Sequence, residues 1–140
     1  MQVRSFRLSD CMEVEQLFEH VLSEICYEET MGVFARQLSM DSNLVLVAVE
    51  KESIVGAILG TIDNNNAYYY RIAVDHRYRR RGIGNTLIEG LKAIFLQRNV
   101  DLIFVTVDDH NEPILSVYES LGYQAKEFSH SVQNLKIVSV

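Results

Sequence analysis

Apolar residues recur along the chain in two periods, and the changes of period mark out its elements. Gln2 to Phe6 fits a short first strand. Val14, Leu17, Phe18, Val21, Leu22 and Ile25 then fall on one helical stripe, with Asp10 and Glu13 as a capping pair at its start. Val33, Phe34 and Leu38 keep helical spacing and predict a second, shorter helix over Thr30 to Leu38. Leu44 to Val49 and Ile54 to Ile62 read as an antiparallel hairpin turning at Lys51-Glu52-Ser53. The cluster Asn64-Asn65-Asn66 is a turn into the next strand, which begins at Tyr68. A helix over Asn85 to Gln97 carries Leu87, Ile88 and Leu91 on one face. Leu102 to Val107 is an almost wholly apolar strand, as expected inside a sheet. A further helix around Tyr118 precedes two last strands, near Gln124 to Phe128 and Leu135 to Val138. The pattern predicts an α+β fold: a mixed, mostly antiparallel sheet of six to seven strands with helices on both faces.

The 140 residues carry no repeat, linker or low-complexity segment, which argues for one domain over 1–140. No apolar run is long enough to span a membrane, and the first residues interleave Arg4 and Arg7 with Val3, Phe6 and Leu8. Cys11 and Cys26 fall on the first predicted helix without a second metal-like pair, so they read as reduced packing residues of a cytoplasmic protein, with no metal expected.

The chemistry concentrates between Tyr68 and Leu91. There a strand passes through an arginine-rich turn with two glycines and becomes an amphipathic helix. That order presents free backbone N–H groups to a phosphate. Gly82 and Gly84 remove two Cβ atoms where a ligand approaches the main chain. A P-loop is excluded, because Gly84 is followed by Asn85 and Thr86 where Lys and Ser/Thr are needed. A dinucleotide fingerprint is excluded too: Leu87 stands where its third glycine belongs, and Asp101 begins the next strand when an acidic residue should end it.

What remains, Arg79-x-x-Gly82-x-Gly84 after Ile72-Ala73-Val74, resembles the acetyl-coenzyme A pyrophosphate loop of the GNAT superfamily of N-acetyltransferases. Asn111 to Tyr123 resembles the superfamily's other signature, in which an Asn leads into a short helix carrying a Tyr and ending at Gly plus an aromatic. Local physics agrees: Asn111 suits an N-cap, Pro113 a first turn and Gly122 a left-handed C-cap. The resemblance implies acetyl transfer from acetyl-coenzyme A to an amine by direct attack in a ternary complex. It also implies that Ile72, Ala73 and Val74 hold the pantetheine arm where two parallel strands part. Arg79, Arg80, Arg81, Gly82, Ile83, Gly84, Asn85 and Thr86 take the pyrophosphate, Asn111 bonds the arm, and Tyr118 touches the cofactor and acts as general acid on the leaving sulfur.

IAVDHRYRRRGIG and VYESLGY are most similar to the ribosomal-protein N-terminal acetyltransferase group, over about a third of the chain. That group carries a Glu twelve residues before its Tyr, where this chain has Thr106. Glu24, Glu28, Glu29, Asp108 and Asp109 are the replacement candidates for a general base, beside a water relay or an amine that arrives unprotonated. The alternative to catalysis is an acyl-coenzyme A sensor or interaction module of the same fold. Charge adds a little. The chain is acidic at net −6, while His76 to Arg81 is a basic island. The island matches an anionic cofactor and the remainder a cationic amine. The same balance speaks against a nucleic-acid partner. Tyr68, Tyr69 and Tyr70 line the acceptor side or serve the sheet, the second reading being favoured for at least two of them. A small amine, a protein amine and a homodimer all remain open.

Overall fold

A computed structural model describes residues 1–106, Ser120, 124–129 and 134–138. In chain order its elements are β1 (Gln2–Ser5), α1 (Cys11–Val21), α2 (Glu24–Met40), β2 (Val45–Glu50), β3 (Ser53–Asp63), β4 (Asn66–Val74), α3 (Ile83–Gln97), β5 (Leu102–Thr106), β6 (Gln124–Ser129) and β7 (Asn134–Val138). The strands form one sheet in the order β1-β2-β3-β4-β5-β7-β6. Every neighbouring pair is antiparallel except β4 and β5, which are joined through α3 and run parallel. The sheet is therefore mixed and mostly antiparallel, as the periodicity predicts, and β5 lies in its interior between β4 and β7.

Helices cover both faces because the strands alternate their apolar residues between two cores. On one face Leu87, Ile88, Leu91 and Phe95 of α3 pack on Leu46, Ala48, Ile58, Tyr69 and Ile103. On the other, Val14, Leu17 and Phe18 of α1 and Phe34 of α2 pack on Val45, Val47, Ala57 and Leu59. The ring of Phe34 meets those of Phe6 and Phe18 edge-on, at 5.5 and 5.9 Å.

The first helical stripe breaks earlier than its periodicity suggests. α1 stops at Val21, Leu22 turns extended, and Ser23 caps a new helix by accepting from the Cys26 N–H at 3.3 Å. Ile25 consequently leaves the stripe and is 68% exposed. α2 runs Glu24–Met40, well beyond Thr30 to Leu38, and the two cysteines sit on different helices. The Asp10–Glu13 pair does not cap α1. Asp10 instead accepts from Arg4 through both guanidinium nitrogens, at 2.7 and 2.9 Å, and from the Arg7 N–H at 2.7 Å. Glu13 reaches across to the Ile54 N–H at 3.2 Å. Both hairpin turns are tighter than expected. Lys51 and Glu52 take left-handed conformations in one, and Asn64 and Asn65 in the other, which frees Ser53 and Asn66 to enter the strands.

The Arg4–Asp10 pair fastens β1 to the start of α1. Its hydrogen bonds to Arg4 hold the Asp10 carboxyl below the usual carboxylate range. A depressed folded-state value means that the contribution is present above the ordinary carboxylate pKa and is lost as pH falls through the folded one. Asp10→Ala is expected to cost about 2 kcal/mol in urea unfolding at neutral pH, because a mostly buried guanidinium loses its partner.

Candidate active site

The site is built by an irregularity in β4. Its register with β3 steps from Leu59↔Arg71 to Gly60↔Tyr69, so Tyr70 is an extra residue and forms a β-bulge. The bulge changes the phase of the side chains. Ala67 and Tyr69 belong to the α3 core before it, and Ile72 and Val74 pack against that core after it. Tyr70 and Ala73 pack on the α1/α2 side. Arg71 goes that way too. It is 1% exposed, donates Nε–H to Thr30 Oγ1 of α2 at 2.9 Å, and lies 5.2 Å from the centroid of the Tyr70 ring. All three tyrosines lie on β4. Tyr68 stacks on Phe104 across the parallel pair at 5.4 Å, and Tyr69 is buried against Phe95.

The described ladder pairs Asn66, Ala67, Tyr68 and Tyr69 with Leu102, Ile103, Phe104 and Val105. β4 runs on past this described ladder to Val74. The Asp75 N–H donates to Val55 C=O at 2.8 Å, making Asp75 and Val55 a hydrogen-bonded pair. Antiparallel pairs alternate, so Ala73 and Arg71 also bond to β3, while Ile72 and Val74 turn their N–H and C=O groups away from it. Those groups face the edge of β4 on the β5 side.

The chain leaves β4 through Asp75, whose carboxylate accepts the Arg77 backbone N–H at 2.9 Å and its guanidinium at 3.1 and 3.2 Å. These bonds pull the Asp75 carboxyl down to about 2. In the loop, Arg80 and Gly82 both have left-handed φ, at 62° and 78°. Left-handed residues between ordinary ones curl successive N–H groups toward one concavity, a shape that binds anions. Gly82 is the N-cap of α3 and offers no side-chain cap. The first-turn N–H groups of Ile83, Gly84 and Asn85 therefore have no intrahelical acceptor. Thr86 differs: its N–H and hydroxyl both donate to Gly82 C=O, at 3.0 and 2.9 Å. α3 thus begins at Ile83, two residues before the predicted Asn85, because buried Ile83 joins the core.

Apart from Gly32, exposed on α2, the described glycines separate into two kinds. A Cβ at Gly56, Gly60 or Gly90 would meet protein atoms at 3.2, 2.8 and 3.0 Å, so packing within the chain accounts for all three. Among the described residues, the nearest atom at Gly84 would be 3.8 Å away, an ordinary contact, and at Gly82 nothing beyond the chain neighbours lies within 4 Å. Open space above unsatisfied N–H donors is what a pyrophosphate group requires, so the loop fits a coenzyme A.

The arginine island is less free than the sequence suggests. Arg77 is held by Asp75, Arg81 lies 5.0 Å from the centroid of the Tyr78 ring, and Arg79 donates Nε–H to Val74 C=O at 3.2 Å. Glu24, Glu28 and Glu29 are all exposed on α2. Asn111, Tyr118, Asp108 and Asp109 lie outside the described residues, and no group of three or more metal-ligating side chains occurs among the described ones. Burial of Arg71 against Thr30 had no sequence signal, since an arginine in a strand ordinarily points to solvent. The Asp75 turn could have been found, as Asp is a favoured first residue of such turns.

Residues 10–123 match the acetyltransferase (GNAT) family. An acetyltransferase of Yersinia enterocolitica is 30% identical over 127 residues, 91% of this chain and 90% of that protein. The fold is that of the PaiA N-acetyltransferase from Thermoplasma acidophilum, a structure in complex with coenzyme A (TM-score 0.75, 18% identity, 99% of this chain and 97% of that one). It is likewise that of the ribosomal-protein-S18-alanine N-acetyltransferase from Escherichia coli (TM-score 0.69, 18% identity, 99% and 94%). The chain belongs to the GNAT family and is an acetyl-coenzyme A-dependent acyltransferase.

Proposed function

We propose that the chain, acting as one domain, moves the acetyl group of acetyl-coenzyme A to a primary amine by direct attack within a ternary complex. The observation that supports this reading is the edge of β4 turned away from β3, whose outward Ile72 and Val74 backbone groups lead to the first turn of α3. In this reading Ile72 to Val74 hold the pantetheine arm. The N–H groups between Arg80 and Asn85 take the pyrophosphate, with Arg81 adding charge. The Val74 N–H polarises the acetyl carbonyl where oxyanion character develops. Asn111 bonds the arm, and Tyr118 protonates the sulfur as it leaves. Cys11 and Cys26 offer no competing acyl-enzyme route. Burial and the neighbouring Glu15 carboxylate push the Cys11 thiol up, away from the reactive thiolate, and Cys26 is fully buried.

The acceptor is an amine of a small molecule or of a protein. A panel of polyamines, lysine peptides and peptides with free N-termini, read by release of free thiol from acetyl-coenzyme A, tests the reading. One class of amine is expected to drive thiol release well above the rate with water alone. Cofactor binding without turnover on any amine would overturn the transfer, and absence of cofactor binding would overturn the site itself.

A further inference from the structure

β4 can meet β3 in two ladders, and they differ in what the strand offers at its other edge. Continued without interruption from Gly60↔Tyr69, the ladder would set Arg71 opposite Ile58, Ile72 opposite Ala57 and Val74 opposite Val55. The observed ladder skips Tyr70 and sets Arg71 opposite Leu59, Ile72 opposite Ile58 and Ala73 opposite Ala57. Val55, Ala57 and Leu59 are the β3 residues that form hydrogen-bonded pairs, since Val55 C=O accepts from the Asp75 N–H and such pairs alternate. In the uninterrupted ladder Ile72 and Val74 would therefore turn their N–H and C=O groups into β3. The bulge alone sends those groups to the opposite edge.

Apolar patterning does not choose between the ladders, because Ile72, Ala73 and Val74 suit either face of the sheet. Arg71 does choose. In the uninterrupted ladder its side chain would join the Ile58 face, against Leu87 and Leu91 of α3, which are fully buried and carry no acceptor for a guanidinium. A buried charge without a partner is far more costly than an apolar residue on the wrong side. In the bulged ladder Arg71 lies on the Leu59 face, buried, with its Nε–H on the buried Thr30 hydroxyl of α2 at 2.9 Å.

We infer that Arg71, held by Thr30, is a positioning residue that selects the bulged register of β4 and so aims the Ile72 and Val74 backbone groups at the cofactor edge. Its charge bars the ladder that would turn those groups inward, and Thr30 supplies an acceptor in the other. A one-residue slip reverses every group along a strand, which is why one side chain can decide the outcome. The functional consequence rests on the proposed cofactor site, whereas the choice of register is a property of the chain alone.

The test reads register and affinity side by side. The Hα atoms of opposite residues approach each other at pairs that are not hydrogen-bonded. A nuclear Overhauser contact from Ile58 Hα to Ile72 Hα thus marks the bulged ladder, and one to the Hα of position 71 marks the uninterrupted one. Arg71→Met combined with Thr30→Val replaces both partners with apolar side chains of similar size. This double variant is expected to melt within a few degrees of wild type, as paired apolar replacement is nearly neutral. It is nevertheless expected to show the contact to position 71 and to bind coenzyme A about 10-fold more weakly by calorimetry, because few molecules keep the competent register. Arg71→Lys retains a charge that the α3 face cannot accept. It is expected to keep the Ile58–Ile72 contact and to bind coenzyme A within about 3-fold of wild type. A double variant with the Ile58–Ile72 contact and wild-type affinity overturns the inference, as does an Arg71→Lys protein in the other register. If Arg71 merely fastened α2 to the sheet, the melting temperature would fall while the contact stayed, and that pattern overturns it too. Should the double variant fail to fold, the register of Arg71→Lys decides alone. Wild-type protein that does not bind coenzyme A overturns the cofactor site instead, and the Hα contacts still decide the register.

Discussion

Tyr118→Phe is expected to lower kcat by a factor on the order of 10²–10⁴ while leaving coenzyme A affinity and melting temperature close to wild type. The leaving group of the proposed transfer is a thiolate, whose conjugate acid titrates near pKa ~8.5, against ~10 for a phenol. A tyrosine hydroxyl within hydrogen-bond reach of the sulfur can therefore stabilise the departing charge and deliver a proton as the bond breaks. The substitution keeps the ring and removes only the hydroxyl, so packing and chemistry separate cleanly. A tyrosine that served the fold alone would give the opposite pattern, with near-normal turnover and a lower melting temperature. The free-thiol assay with whichever amine proves active, read beside a thermal melt, distinguishes them. Near-normal turnover by the Phe variant would sink the general-acid role. The position comes from the Asn111–Tyr123 signature, since Tyr118 lies outside the described residues.

Much of the fold was legible because it depends on patterns that a single chain carries. Apolar runs bounded by turn residues named β2, β3 and β5, helical spacing named α3, and two glycines among arginines marked the loop between β4 and α3. What the sequence concealed depends on tertiary partners. Ser23 is a plain N-cap residue, but Val21, Leu22 and Ile25 continue the α1 stripe in register. Only the packing of α2 against Phe6 and Phe18 through Phe34 shows that the chain bends there. Asp10 and Glu13 carry the spacing of a capping box, yet better partners across the fold, Arg4 and the Ile54 N–H, take both carboxylates. Tyr68, Tyr69 and Tyr70 are chemically alike, so nothing in their order announces that Tyr70 is the bulge. That single extra residue is what aims Arg71 at Thr30 and returns Ile72 and Val74 to the α3 face. The loop was read from its residue types, whereas the strand that feeds it needed the register.

Gly82→Val is expected to abolish measurable coenzyme A binding, at least a 100-fold loss by calorimetry. Two features of the position make the effect large. Gly82 has φ 78° and ψ 9°, a left-handed conformation that costs a β-branched residue more than any other class. Valine would therefore push the loop toward negative φ and turn away the N–H groups that curl over the start of α3. If the loop held its shape instead, the new methyl groups would enter the space above the loop, for among the described residues nothing beyond the chain neighbours lies within 4 Å of a Cβ built there. Either route removes the cradle, and neither disturbs the core, because Ile83 and Leu87 stay anchored by their own burial. The melting temperature is accordingly expected to fall by only a few degrees, the size of about 1–2 kcal/mol of local strain. Arg81→Ala sets the scale for comparison. It deletes a charge that partly rests on Tyr78 and should weaken binding by only about 3- to 10-fold. If calorimetry finds Gly82→Val binding coenzyme A as wild type does, backbone donors do not hold the pyrophosphate and the cradle lies elsewhere. If Arg81→Ala proves the more damaging of the two, side-chain charge carries the recognition and the α3 N-terminus is secondary.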